Sequence, residues 1–375
     1  MWYNDLRPNQ ELNNMQYALT FYMDELKMTE LEKKRTLGNL IALKEGINQK
    51  IPDKIMDGNI LLASWNIKEF GHLKERLSES YFYIAEIISA FDIVAVQEIK
   101  TSLFDLDIVM KLLGSNYSYI ITDITEGTKG NKERFGYIFD SRRVRHSGLS
   151  GELVIPPELA DDNSIIKQLK RTPSISGFES GWKKFSVIGL HLHPGNKSDD
   201  KSIRREELRL LLEVLQSKLD NKRLWNENLI LLGDTNIYDN NLDIEELVRS
   251  FGFIENSGLK GKPTNTSKTE SYDRIFLKVD KYFKFYNDHD ELDSGDVFDP
   301  FDYVFTEGMC SQYHDIMKVH KDDPTSLVDD ATFLTYYNRY WKRNQISDHL
   351  PVWIEIEANS SISFLKSKMR KIILD

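Results

Sequence analysis

Residues 60–71 read ILLASWNIKEFG, and the rest of the chain is read outward from this stretch. Ile60–Trp65 is a short apolar run, and Asn66 opens the polar cluster that ends it. A run of this length predicts a buried or half-buried strand, with a functional side chain held rigidly at its end. The pattern recurs. Phe91–Val96 leads to Glu98, Phe185–Leu190 to His191, and Leu229–Leu232 to Asp234, with Asn236 two residues on. Phe135–Phe139 follows Glu133, Tyr272–Leu277 carries Asp273, and Val352–Ile356 follows Ser347, Asp348 and His349. Helical patterns such as Tyr81–Ala90 and Glu206–Leu219 lie between them. Strands mixed with helices over about 300 residues predict an α/β layered domain.

Residues 1–56 differ from this pattern. Leu19, Tyr22, Met23, Leu26, Leu37, Leu40, Ile41 and Ile47 recur at helical spacing until Pro52. They predict two helices, paired as an antiparallel hairpin. Their apolar faces either pack on the main domain or bind a protein partner or a second copy of the chain. The expected organisation is a helical N-terminal extension over 1–56, a main domain over 57–358 and a tail over 359–375. Within the main domain, 280–344 reads as an expanded segment, with acidic turns and a helical, aromatic stretch around Tyr336–Trp341. The tail is basic and amphipathic, either a docking helix or a frayed end.

Composition narrows the chemistry. Cys310 is the only cysteine, which excludes an intrachain disulfide and Cys-rich zinc sites. A metal site must then use oxygen and nitrogen ligands, and a carboxylate-rich one favours Mg²⁺ or Mn²⁺. A net charge of −10 argues against a passive nucleic-acid binder. It argues less against an enzyme, whose metal-site carboxylates are partly neutralised when it works. The start MWYNDLRPNQ lacks the pattern of a signal peptide, and no apolar run approaches the ~20 residues of a bilayer span, so a cytoplasmic protein is expected.

An acidic residue after a strand is ordinarily a turn or a helix cap. The ordered series SWNIKEFG, VQEIK, ERFGYIFD, LHLHPG, GDTN, YDRI and SDHLPV is more specific. It resembles the endonuclease/exonuclease/phosphatase superfamily, and most of all its deoxyribonuclease I-like branch, over residues 58–357 with a poor match at 280–344. The resemblance implies a four-layered sandwich of two mixed β-sheets flanked by helices. It implies a metal-binding glutamate at Glu98, with Asn66 and Asp348 beside it, for Mg²⁺ or Mn²⁺. His191 matches one catalytic histidine, oriented by Glu133, and His349 matches the other, partnered by Asp273. One histidine would deprotonate the attacking water and the other protonate the leaving oxygen, in an order that the residues leave open. Asp234 and Asn236 match the pair that positions water, phosphate or metal. Arg171 fits a phosphate contact. Lys68 and Lys100 fall where the nucleases have basic residues near the DNA backbone, though ordinary surface lysines are an equal reading. His193 lies on the same strand face as His191 and is read as structural.

The activity so implied is metal-dependent phosphodiester hydrolysis, with DNA as the expected partner and an endonuclease as the first reading. A lipid or inositol-phosphate phosphoesterase of the same superfamily is the second. A catalytically idle binding or scaffold protein is the third. The chain departs from the pancreatic-type nucleases in lacking disulfides and in its two additions, which are expected to cap or narrow the cleft.

Overall fold

The computed structural model describes residues 1–12, 19, 23, 26–125, 132–160, 164–221, 228–238, 242–287 and 292–374. Two six-stranded sheets form its centre. The first runs in the order β11 (Gly295–Val297), β12 (Val352–Glu357), β1 (Asn59–Phe70), β2 (Ile93–Ile99), β4 (Arg134–Asp140) and β3 (Tyr117–Ile121). The second runs β5 (Arg145–Glu152), β6 (Ser174–Ser180), β7 (Lys183–His191), β8 (Leu229–Asp234), β10 (Asp273–Lys278) and β9 (Phe253–Glu255). β1–β2 and β7–β8 pair in parallel and the other neighbours are antiparallel, so both sheets are mixed.

Alternation along the strands builds the layers. Ile60 and Leu62 of β1 point between the sheets, where they meet Phe178, Phe185, Ile230 and Ile275. Leu61, Ala63, Trp65 and Ile67 point outward, under α2 (Glu30–Lys50), α3 (Ser78–Ser89) and α4 (Phe104–Leu113), which follow the short α1 (Asn9–Leu12). On the far side, Ile188, Leu190 and Leu231 pack beneath α5 (Ser198–Asp220) and α6 (Leu242–Ser250). The result is the four-layered sandwich, with both sheets buried on both faces. That explains why the central strands read as unbroken apolar runs.

Of the hairpin expected in the N-terminal region, the second helix is described, while most of residues 13–25 lie outside the described residues. Among its described residues one helix exceeds four residues, α2, which starts at a capping box between Thr29 and Glu32. Tyr22 lies outside the described residues. The buried side of α2 goes onto the main domain: Leu40 and Leu43 enter the outer core, Asn39 donates to the Tyr83 hydroxyl, and Arg35 forks onto Glu79 at 2.7 and 3.0 Å.

The 280–344 segment holds α7 (His314–His320), α8 (Asp330–Tyr336) and a π-helical turn over Tyr337–Trp341, which runs into α9 (Lys342–Gln345). Its aromatic side chains Phe305, Tyr313, Tyr337 and Trp341 join the same outer core as α2–α4. So it buttresses the first sheet's helical layer more than it covers the cleft. Arg343 near its end donates to Ser267, and just beyond it the buried Gln345 accepts from Leu77 N–H and donates to Glu75 O. The tail forms a helix, α10 (Ser361–Leu374). Among the described residues no helix is long and apolar enough to cross a membrane.

Candidate active site

Register places the chemistry. His191 on β7, Asp234 on β8 and Asp273 on β10 are direct cross-strand partners, so one row across the second sheet carries an imidazole and two carboxylates. The first sheet answers with Asn66 on β1, opposite Gln97 on β2, and with Glu98 one residue on. The first sheet breaks its register here on both sides of β2, between Asn66 and Phe70 against β1 and between Val96 and Ile99 against β4. Bulges of this kind re-aim side chains at strand ends. Glu69, Glu98 and Asn236 adopt left-handed backbone, with φ of 46°, 61° and 49°. Such strain in non-glycine residues persists where surrounding structure enforces it, commonly at functional sites. Gly233, just before Asp234, is required: at its φ of 135° a Cβ would lie 2.0 Å from Leu190 O.

Two histidine–carboxylate pairs face a common carboxylate. His349 Nδ1 meets Asp273 Oδ2 at 2.7 Å, and its Nε2 lies 3.9 Å from Asp234 Oδ2. His191 Nδ1 lies 3.3 Å from Glu133 Oε2, and its Nε2 lies 3.4 Å from the same Asp234 oxygen. Asp234 also accepts from Asn66 Nδ2 and from the Asn236 backbone, while Asn236 Nδ2 donates to Leu192 O. Burial pushes the Asp234 carboxyl above the ordinary carboxylate range, with Asp273 adding to this and both histidines opposing it. Burial would lower His349, but Asp273 and Asp234 outweigh it and hold the ring well above the usual imidazole range. Burial would raise Glu133, but His191, Arg171 and Lys100 together hold its carboxyl down at about 2.

The basic residues fall into different places. Arg171 Nε and Lys100 Nζ each bond Glu133, both at 3.1 Å, so they lie beside the His191 pair. Lys68 enters through its backbone: its N–H donates to Ser347 Oγ and its carbonyl accepts from Arg76, while its side chain has no bond among the described residues. His193 sits outside the cluster, bonded to Asp200 and Lys170, with its N–H on the buried Glu207.

Glu98 accepts from Asn66 Nδ2 at 3.2 Å and from Glu69 N–H at 3.1 Å. The Asn66 amide oxygen is buried without a partner among the described residues. An uncommitted buried oxygen beside a half-buried carboxylate suits a hard cation. Asp348 is half-buried, and among the described residues no hydrogen bond joins its side chain to Glu98. Asp234, Asp273 and His349 form a second set able to hold a metal, with ligand atoms within 4.8 Å of one another. Asp273 Oδ2 is engaged by His349 and by the Thr264 hydroxyl, while its Oδ1 is buried without a partner among the described residues.

Two supporting residues escape sequence reasoning. Thr264 Oγ1 donates to Asp273 Oδ2 at 2.8 Å and accepts from Asp273 N–H at 3.0 Å, fixing the carboxylate that fixes His349. Ser347 Oγ donates to Asn66 O and accepts from the N–H groups of Lys68 and His349, stitching the β1 bulge to the second histidine. Ser347 lies inside a quoted motif, but no local signal marks Thr264.

This two-sheet sandwich with its cluster of carboxylates and histidines has the architecture of the endonuclease/exonuclease/phosphatase superfamily, and in sequence the chain is similar to its deoxyribonuclease I-like side. It is 27% identical to deoxyribonuclease-1 of Sus scrofa over 216 residues, covering 54% of this chain and 66% of the relative. It is 29% identical to that of Canis lupus familiaris over 218 residues, with the same coverage. The chain thus spans just under two thirds of these relatives' length. No protein-family model matches it. In structure it is similar to a conserved protein of unknown function from Enterococcus faecalis V583, with a TM-score of 0.50 and 14% identity over 80% of this chain and all of the other; that likeness shows the fold.

Proposed function

We propose that the protein is a divalent-metal-dependent DNA endonuclease that hydrolyses phosphodiester bonds by direct attack of water. One observation carries the reading. The Nε2 atoms of two carboxylate-anchored histidines converge on one buried oxygen of Asp234, beside the Glu98–Asn66 oxygen cluster. Two proton-transfer groups facing one position meet the requirement of hydrolysis, in which one proton must leave water and another must reach the leaving oxygen.

Glu98 with Asn66, flanked by Asp348, would hold Mg²⁺ or Mn²⁺, which when bound neutralises phosphate charge and stabilises the developing negative charge. The chain's own groups do the rest. His349, kept protonated by Asp273 and Asp234, gives its Nε2 proton to the leaving oxygen as the phosphorus–oxygen bond breaks. His191 Nε2 takes the proton from the water as the new phosphorus–oxygen bond forms. Asp234 and Asn236 position that water. Arg171 and Lys100 turn from Glu133 toward the phosphate, and Lys68 reaches the backbone of the strand.

The test is incubation of supercoiled plasmid with the purified chain in Mg²⁺, Mn²⁺ or EDTA. The expected result is metal-dependent nicking, lost in Glu98→Ala and in His349→Ala. Absence of cleavage of any DNA, with release of phosphate or headgroup from lipids or inositol phosphates, would move the substrate to the second class.

A further inference from the structure

We infer that α10 is a docking helix for an anionic membrane surface. Ile362, Leu365, Met369 and Ile372 are spaced three, four and three residues apart and so form one stripe along the helix. Each is between 58% and 78% exposed, too much for a helix whose apolar face is already covered. Lys366 and Arg370 border the stripe on one side and Lys368 on the other, and residues 361–374 contain no acidic side chain in a chain of net charge −10.

The helix is held in place with that stripe turned to solvent. The ring of Phe364 packs against Trp182 and Tyr282, with centroids 5.7 and 5.8 Å away, and Lys281 Nζ bonds Ser367 Oγ at 2.6 Å. Trp182, at the β6–β7 turn, is itself 52% exposed beside the helix. Next to the stripe opens a groove of about 1020 Å³ lined by Lys281, Lys284, Lys366, Arg370 and Lys371, against the acids Asp57 and Glu357. Lys284 is paired with Glu357, so the remaining cations set the charge of the groove.

An occupant must satisfy four apolar side chains and a surplus of cations together. A nucleic-acid backbone would meet the cations and leave the stripe in water. An anionic bilayer meets both, with acyl chains at the stripe and headgroups at the lysines and arginine, and exposed tryptophans favour that boundary. The position says what such docking would do. β7 begins at Lys183, beside Trp182, and ends at His191. At ~3.3 Å per residue the strand separates the helix from the catalytic row by roughly 26 Å. The membrane would therefore tether the enzyme with its cleft turned away, and would not be its substrate.

The test is co-sedimentation of the full chain with phosphatidylcholine vesicles and with phosphatidylcholine–phosphatidylserine vesicles. Binding is expected to the anionic vesicles alone, weakening as salt rises. Leu365→Glu with Met369→Glu, at exposed positions, is expected to cut partitioning on the order of tenfold or more with an unchanged circular-dichroism melt. No binding, equal binding to neutral vesicles, or undiminished binding by the double variant would overturn the inference. So would a dimer dissociated by these substitutions, which would give the stripe to a second copy, or a matching loss of DNA affinity, which would give it to nucleic acid.

Discussion

Each histidine–carboxylate pair joins a residue of the second sheet, His191 or Asp273, to one just before a strand of the first, Glu133 or His349, and both face the same Asp234 oxygen, yet they are built differently. Asp273 is fully buried, is clamped by Thr264, and contacts His349 at 2.7 Å. Glu133 divides its oxygens among Arg171, Lys100 and His191, and the histidine contact is the longest of the three at 3.3 Å. The first pair concentrates one negative charge on one imidazole. The second shares its charge with two cations, Arg171 and Lys100. In the proposed mechanism this difference suits the two pairs to different tasks, with His349 giving a proton to the leaving oxygen and His191 taking one from water.

The largest effects should come from the rings themselves. His349→Ala is expected to lower the plasmid-nicking rate by about 10⁴-fold and His191→Ala by about 10²-fold, at the two ends of the range for general acid–base groups. Equal losses would break the comparison. Next come the supports. Thr264→Val keeps the volume but leaves Asp273 without its hydroxyl partner. It should lower kcat by about tenfold with KM unchanged, while Thr264→Ser retains activity. A rise in KM alone would show that Thr264 shapes binding and does not position Asp273. Arg171→Met should do the reverse, raising KM several-fold more than it lowers kcat, because the group it removes is a phosphate contact released from Glu133.

This difference between the pairs was partly legible beforehand. Apolar runs ending in Asn66, Glu98, His191 and Asp234, and the one opening at Asp273, could be read because both sheets are covered on both faces, which makes the central strands continuous and apolar. Edge strands could not. β5, Arg145–Glu152, is largely exposed and carries no apolar run, and beside it the inner strand β6 was hidden because serines and a glycine break up its pattern. The Thr29–Glu32 capping signature, which marks the start of α2, was a readable signal. Thr264 and the sharing of Glu133 were out of reach, since they depend on residues that only the folded sheets bring together.

The smallest effect is also the one most particular to the comparison, because the two pairs should respond to pH with opposite sign. Glu133 is held at about 2, below the unfolded glutamate value of about 4.3. Its stabilisation is present above that unfolded value and is lost as pH falls toward 2. After allowance for solvent screening it is worth on the order of 1–2 kcal/mol. His349 is held above the unfolded histidine value of about 6.5. Its stabilisation is complete below that value and is lost as pH rises through the folded one. Urea unfolding across pH should then show Glu133→Gln flattening the acid limb alone and His349→Asn flattening the alkaline limb alone. If Glu133→Gln left the acid limb unchanged, Arg171 and Lys100 would not be drawing on its charge, and the asymmetry between the pairs would reduce to one of distance.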